Sequence, residues 1–204
     1  MHTNDAPRRL ILASSSRYRQ ELLARLRMPF ESIAPNVDEA ALPGETAAAL
    51  AVRLALAKAQ AVAQAVVHSH PGAVVIGSDQ VCELDGIALG KPGNHARATQ
   101  QLATLSGREA LFHTAVAVVY RDGGFVAQDL ATVRVRFRTL HANEIERYLR
   151  LDEPYDCAGS AKCETLGIAL LQRIDNDDPT ALIGLPLIRT LAMLRAAGID
   201  PLRP

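Results

Sequence analysis

The stretch AVVIGSDQV (73–81) decides the fold of this chain. Its first four residues form an unbroken apolar run, which is typical of a strand buried on both faces of a parallel sheet. The polar residues 77–80 follow, and the chain becomes apolar again from Val81 to Leu84. We therefore predict that a buried strand ends here and places Asp79 and Gln80 at the sheet edge where α/β proteins bind their ligands.

Helix-like and strand-like patterns alternate on both sides of this stretch. In the longest helix, 46–67, the predicted buried stripe comprises Leu50, Leu54, Ala57 and Ala61. The order of elements predicts an α/β fold, a mixed twisted sheet flanked by helices. The other predicted strands are 10–13, 30–34, 109–120, 125–140 and 166–174, and the other predicted helices are 17–27, 95–105, 144–151 and 187–197.

The composition is globular and excludes several classes of function. Of the 204 residues, 49% are hydrophobic and 22% are charged, and the formal net charge is zero. This balance argues against a nucleic-acid polymer as partner, because proteins that bind one carry a basic surface. No apolar run approaches the roughly 18 residues that a membrane span needs. We expect a single domain over 1–204, with neither a nucleic acid nor a membrane as partner.

The cysteines and the N-terminal residues predict a cytoplasmic protein. Cys82, Cys157 and Cys163 form no C-x-x-C pair, and their odd number favours a reducing compartment over a zinc site. The polar segment 1–9 and the short apolar run after it do not resemble a secretory signal.

Lysine is scarce in this chain, which makes each lysine informative. Only Lys58, Lys91 and Lys162 are lysines among the 22 Lys and Arg residues. A biased codon supply can explain the arginines without functional meaning, but it leaves lysine where a compact ammonium is needed. All three lysines lie in or beside segments that follow predicted strands or form the long helix.

Polar residues after the first predicted strand indicate a phosphate site. Ser14 and Ser16 follow that strand, and Arg19 lies one turn into the next helix. Hydroxyls, the N–H groups of a helix N-terminus and nearby cations all favour anionic oxygens. The same serines also fit a simple capped helix with Ser16 as the N-cap.

Two carboxylates, Asp79 and Glu39, indicate a site for a hard divalent cation such as Mg²⁺ or Mn²⁺. Asp79 is also a candidate general base. Each has an ordinary alternative, because Asp79 fits a turn and Glu39 with Asp38 fits a solvated pair. The acidic run at 175–178 is interpreted as solvated charge.

Six motifs span nearly the whole chain. They are LILASSSRYRQELL (10–23), PNVDE (35–39), IGSDQV (76–81), GKP (90–92), YDCAGSAKCE (155–164) and LIGLPL (182–187). In this order they resemble the Maf-like nucleotide pyrophosphatases. The resemblance implies a two-lobed fold of the Maf/inosine-triphosphatase type with a cleft between the lobes. It also implies a homodimer that hydrolyses a nucleoside triphosphate to the monophosphate and pyrophosphate with a divalent metal.

The resemblance also implies roles for individual residues. Asp79 is the implied proton acceptor and, with Glu39, the implied metal neighbour; Lys91 completes the predicted catalytic set. Lys162, which lies two residues from Glu164, is predicted to bind substrate as well. The other implied substrate-binding residues are Ser14, Ser16, Arg19 and Lys58.

The residues near Asp79 resemble the branch of the family that acts on 7-methyl-GTP. Members that act on dTTP and UTP carry Gly-Ala-Asp-Thr where this chain has GSDQ (77–80). Since 7-methylguanine is cationic, Glu164 can supply an opposite charge and Tyr18 a stacking face, while the amide of Gln80 can donate and accept. These three are the predicted specificity residues.

Two positions depart from the family pattern, and two alternatives for the function remain open. Arg17 stands where the family usually has Pro, and Thr165 stands where it often has Gly. The alternatives are a dTTP or UTP pyrophosphatase of the same family and a nucleotide-binding regulator of cell division.

Overall fold

The computed structural model describes residues 8–203. Its centre is a seven-stranded mixed sheet. Six strands follow the order β2-β1-β3-β5-β6-β7, and β4 pairs with β3 outside this order. β1 is parallel to β2 and β3, and the other pairs are antiparallel. The predicted α/β class is confirmed. Most of the polar N-terminal segment lies outside the described residues. The strands are β1 (Leu10–Ala13), β2 (Phe30–Ser32), β3 (Val74–Leu84), β4 (Ile87–Leu89), β5 (Glu109–Tyr120), β6 (Phe125–Phe137) and β7 (Leu171–Asp175).

Five helices of the described chain flank this sheet. Ser16, Thr46 and Asn94 cap the first three, each accepting a backbone N–H of the first turn. Within residues 8–203 no helix has both the length and the apolar character of a membrane span. The helices are α1 (Arg17–Ala24), α2 (Ala47–Ala65), α3 (His95–Leu105), α4 (Ala142–Asp152) and α5 (Leu187–Ala196).

The predicted strand over 166–174 is wrong in its first half. The chain forms a 3₁₀ turn over Leu166–Leu170 and becomes extended only in β7. Gly167 lies so close to Lys162 that a Cβ there would be 2.6 Å from the Lys162 nitrogen. This close approach holds the segment in a tight turn that a strand cannot make.

β3 is longer than predicted, and the way it pairs with its neighbours creates the cleft. The polar residues 77–80 do not end the strand, because β3 pairs with β5 without interruption from Val74 to Glu83. On its other side β3 pairs with β1 only as far as Gly77, and with β4 only from Cys82. Residues 78–81 therefore face a gap in the sheet, with no strand of the described chain beside them.

α2 buries a different stripe from the predicted one. Leu50 and Leu54 are buried as expected, but Ala57 and Ala61 are only partly buried. The buried face turns instead through Ala55, Lys58, Ala59 and Val62. A pattern of apolar residues could not place Lys58 inside, since a buried lysine needs a partner that the helix itself does not provide.

Three apolar clusters divide the molecule into two lobes. Two clusters cover opposite faces of β1, β3 and β5, one against α2 and the other against α1 and α5. The third packs α3 and α4 on the far end of β3, β5 and β6. The gap beside β3 lies where the lobes meet, as the predicted two-lobed architecture requires.

Candidate active site

A cleft of 460 Å³ opens at the gap beside β3. It is lined from the end of β1, the start of α1, the middle of β3 and the loops at 155–164 and 181–184. The elements come from both lobes, so their relative position defines the cleft. Ten of the eleven predicted site residues line it: Ser14, Ser16, Tyr18, Arg19, Glu39, Lys58, Asp79, Gln80, Lys91 and Glu164.

Lys58 joins the two predicted catalytic carboxylates. Its Nζ lies 2.6 Å from Asp79 Oδ1 and 2.6 Å from Glu39 Oε1. Lys58 is 5% exposed and Asp79 8% exposed, whereas Glu39 is on the open side of the cleft. Two carboxylates around one ammonium offset the cost of burying that charge.

Asp79 keeps one carboxylate oxygen available. Oδ1 accepts from Lys58, whereas Oδ2 has no hydrogen-bond partner within residues 8–203. Among the described buried side-chain atoms only Arg189 Nε lacks a partner, so Asp79 Oδ2 is solvent accessible at the cleft wall. An accessible oxygen on an otherwise held carboxylate suits a proton acceptor.

The charges around Glu39 keep its carboxylate ionised. Burial raises the pKa of Glu39, but the hydrogen bond and charge of Lys58, together with Lys91 and Arg19, outweigh burial and hold the pKa below its ordinary value. Lys91 is exposed at the cleft wall. These charges form one group around Asp79.

The start of α1 presents to the cleft side chains that can donate hydrogen bonds to phosphate oxygens. Ser14 is buried, and its Oγ accepts from the Ser16 N–H at 3.1 Å. Arg19 Nε donates to the Gly184 carbonyl at 2.9 Å. Burial lowers the pKa of Arg19 while Asp79 and Glu39 act in the opposite direction.

A second group of charges surrounds Tyr18. Arg17 Cζ lies 5.2 Å from the centre of the Tyr18 ring. Burial raises the pKa of Tyr18, and Cys157 and Asp156 add to the effect, while hydrogen bonds with Lys162 and Arg17 oppose it. Asp156 and Glu164 both line the cleft, and neither forms an ion pair within residues 8–203. Sequence reasoning missed Asp156, although it lies inside the 155–164 motif.

Lys162 is the predicted site residue that does not line the cleft. Its Nζ donates to the carbonyl oxygens of Asp152, at 2.7 Å, and Glu153, at 3.4 Å, where α4 ends. The same Nζ lies 5.9 Å from the centre of the Tyr18 ring. Burial lowers the pKa of Lys162, but the hydrogen bond and charge of Tyr18, together with Cys157 and Asp156, outweigh burial and leave the pKa above its ordinary value. Lys162 thus lies beside a cleft residue and holds the end of α4.

The two departures from the family pattern have local contacts. Arg17 stacks near Tyr18 at the cleft wall. Thr165 Oγ donates to Asp152 Oδ2 at 2.6 Å and so ties the 155–164 loop to the end of α4.

Gln80 faces the opposite side of β3 from Asp79. Its Nε2 lies 2.9 Å from Thr114 Oγ1 and donates to the carbonyls of Ala181, at 3.1 Å, and Leu182, at 3.0 Å. The amide nitrogen is therefore committed to the protein. Gln80 Oε1 has no partner in the described chain and remains for the cleft.

The described part of the chain does not by itself assemble a metal site of three or more ligands. No group of three His, Cys, Asp or Glu side chains converges within residues 8–203. Asp79 and Glu39 converge on Lys58, which makes them the two available carboxylates. Magnesium is commonly held by one or two carboxylates together with water and substrate phosphates, so this donor set fits such an ion.

The fold and the cleft define an α/β protein whose cations and carboxylates are arranged to hold an anionic, phosphate-type ligand between two lobes. The model of the family described as Maf-like protein matches residues 9–197. The chain belongs to this family, and the predicted membership is confirmed.

Its relatives include three proteins named 7-methyl-GTP pyrophosphatase. The one from Albidiferax ferrireducens is 64% identical over 96% of this chain and 96% of its own length. The one from Polaromonas sp. is 62% identical over 94% of this chain and 86% of its own. The one from Burkholderia pseudomallei is 58% identical over 97% and 91%. These relatives carry the name of the branch that the sequence predicts.

The solved structure of the Staphylococcus aureus Ham1 protein is also similar. It matches with a TM-score of 0.45 and 18% identity, over 64% of this chain and 72% of that one.

Proposed function

We propose that this chain is a 7-methyl-GTP pyrophosphatase, which hydrolyses 7-methyl-GTP to 7-methyl-GMP and pyrophosphate. The observation that carries the proposal is the identity of 58–64% to relatives of that name over nearly the whole chain. The cleft supports it, because one group of its charges suits a triphosphate and the other suits a cationic base.

In this reaction Asp79 takes the proton of the attacking water. The water oxygen bonds to the α-phosphorus while the bond from that phosphorus to the α–β bridging oxygen breaks, and pyrophosphate leaves with that oxygen. Asp79 Oδ2 is available for the proton, and Lys58 holds Oδ1 in place at 2.6 Å. Arg19, Lys58 and Lys91 bind the negatively charged phosphates, and Ser14 and Ser16 add hydroxyls.

Glu39 and Asp79 would hold a divalent cation, with the substrate phosphates completing its ligands. Such an ion polarises a phosphoryl oxygen and neutralises developing charge.

Specificity arises at the second group of charges. Asp156 and Glu164 offer carboxylates without ion-pair partners in the described chain, and Tyr18 offers a ring face. Gln80 adds an acceptor oxygen, since its nitrogen is committed elsewhere. Guanine carries N–H donors on its pairing edge, and its 7-methyl form adds a positive charge, so acceptors and carboxylates match both properties.

A nucleotide panel tests the proposal. We expect the protein to release pyrophosphate from 7-methyl-GTP faster than from GTP, dTTP or UTP, in Mg²⁺ or Mn²⁺, and to lose this activity in EDTA. A preference for dTTP or UTP would assign the chain to the other branch. Tight nucleotide binding without pyrophosphate release would instead favour a regulator.

Replacing Glu164 with Gln should reduce the preference for the methylated base. We expect kcat/KM for 7-methyl-GTP to fall about tenfold relative to that for GTP, because only the cationic base loses an attractive charge. A tenfold change corresponds to about 1.4 kcal/mol of interaction free energy. The two rates are measured side by side by pyrophosphate release. Glu109→Gln is the matched control, since Glu109 pairs with Arg134 at 2.6 Å outside the cleft lining. An unchanged ratio in Glu164→Gln would remove Glu164 from base recognition.

A further inference from the structure

The LIGLPL motif at 182–187 has no role in the mechanism above, yet its loop contacts two cleft residues, Arg19 and Gln80, and the buried Ser78 through backbone carbonyls. The Gly184 carbonyl accepts from Arg19 Nε at 2.9 Å and from Ser78 Oγ at 2.9 Å. The carbonyls of Ala181 and Leu182 accept from Gln80 Nε2. One short loop therefore sets the direction of a phosphate-side guanidinium and of a base-side amide.

The loop is held at its base by Asp178. This side chain is fully buried, which contradicts its interpretation as solvated charge within 175–178. Its Oδ2 accepts from the N–H groups of Ile188, at 2.9 Å, and Arg189, at 3.2 Å. The first turn of α5 has backbone donors without helical partners, and the Asp178 carboxylate satisfies two of them. Asp178 is buried because the fold brings its carboxylate to a helix start ten residues away in sequence.

Thr180 closes the loop from inside. Its Oγ1 donates to the Leu185 carbonyl at 2.7 Å and accepts from the Leu187 N–H at 2.8 Å. The hydroxyl also lies 3.0 Å from Asp178 Oδ1. The Thr180 side chain, which precedes the segment 181–186, thus hydrogen-bonds to the backbone at the far end of that segment.

The loop contacts Arg19 but none of the three side chains Asp79, Lys58 and Glu39. Asp79 and Glu39 both pair with the Lys58 ammonium, and this group lies on the α2 side of β3. Ser78 and Gln80, which the loop does contact, project from the opposite side of the same strand. Binding and base selection therefore depend on the loop, whereas the proton acceptor does not touch it.

We infer that Asp178 and Thr180 are positioning residues that shape the loop 181–186 so that it aims Arg19 and turns the Gln80 amide with its oxygen toward the base. The inference rests on the proposed function and deepens it. It predicts a change in substrate binding and base preference rather than in the chemical step.

The test is Thr180→Val, which keeps the shape of the side chain and removes the hydroxyl. We expect KM for 7-methyl-GTP to rise about tenfold and the preference over UTP to fall by a similar factor, while kcat changes by less than about twofold. Thr180→Ser retains the hydroxyl and should restore both values. Calorimetric binding of 7-methyl-GTP in EDTA provides a readout that needs no turnover, and its Kd should follow KM.

Thr190→Val is the matched control. Thr190 is buried on α5 and donates to the Pro186 carbonyl at 2.7 Å, but it contacts none of the carbonyls that hold Arg19 or Gln80.

Asp178→Asn is a second test variant. It places an amide N–H₂ or a weaker acceptor oxygen next to the α5 donors, so it should change KM and base preference in the same direction as Thr180→Val.

Unchanged Kd and base preference in folded Thr180→Val would overturn the inference, and so would an equal change in Thr190→Val. If the wild type binds 7-methyl-GTP without releasing pyrophosphate, the proposed function fails while the binding comparison still tests the loop. A wild type that binds no nucleotide would overturn both.

Discussion

Asp79→Asn is expected to reduce kcat for pyrophosphate release from 7-methyl-GTP by about 10²–10⁴-fold, the usual contribution of a general base. The amide cannot take the proton of water, although its oxygen can still accept from Lys58. Glu39 remains 2.6 Å from Lys58, so the ammonium stays paired and the fold should be retained. Steady-state kinetics and thermal unfolding, measured on the same preparation, separate the two effects.

Asp175→Asn is the control for that variant. Asp175 accepts from Arg173 at 2.7 Å on β7 and does not line the cleft. Its substitution should leave kcat within about twofold, since exposed ion pairs contribute little. Activity in Asp79→Asn close to that of the wild type would show that another group accepts the proton.

Among the variants discussed, Gly77→Ala is expected to cause the largest loss of folding stability. A Cβ at position 77 would lie 2.6 Å from the Ala59 nitrogen and closer still to the Ala55 carbonyl, so α2 must move away from β3. Forcing a methyl group into a packed backbone contact costs about 1–3 kcal/mol or more, and here neither partner is a flexible side chain. The free energy of unfolding, measured by urea denaturation, should fall accordingly.

The same substitution should also reduce activity, because Lys58 lies on α2 and Asp79 lies two residues beyond Gly77 on β3. Moving the helix lengthens the 2.6 Å contact between them. Gly90→Ala is the control for stability, since a Cβ there has no heavy atom within 4 Å and its backbone is not left-handed. Equal stability of the two variants would show that α2 is not held by this close approach.

Much of the candidate site could be predicted because its residues fall in short local motifs. Ser14, Ser16 and Arg19 are set by a strand followed by a capped helix, a relation that spans only a few residues. Asp79 and Gln80 stand out because they interrupt a strongly apolar run. Motif order also identified the family, which the match over 9–197 confirms.

The contacts between these residues could not be predicted in the same way. Lys58 was recognised as unusual, but its burial between two carboxylates depends on α2 packing across β3 at Gly77. Lys162 is predicted to bind substrate from its neighbour Glu164, and nothing in the sequence indicated that its ammonium also donates to a carbonyl at the end of α4. Asp178 was interpreted as solvated, and it is fully buried.

By itself, therefore, the sequence determined the fold class, the family and which side chains carry the chemistry, since periodicity and short motifs are properties of neighbouring residues. Only the tertiary structure decided which atoms of those side chains are free. Arg19 and Gly184 are 165 residues apart, and Lys58 and Asp79 are 21 apart. Such pairs depend on the order of the strands and on the end of β1 at Ala13, which leaves the gap beside β3 that becomes the cleft.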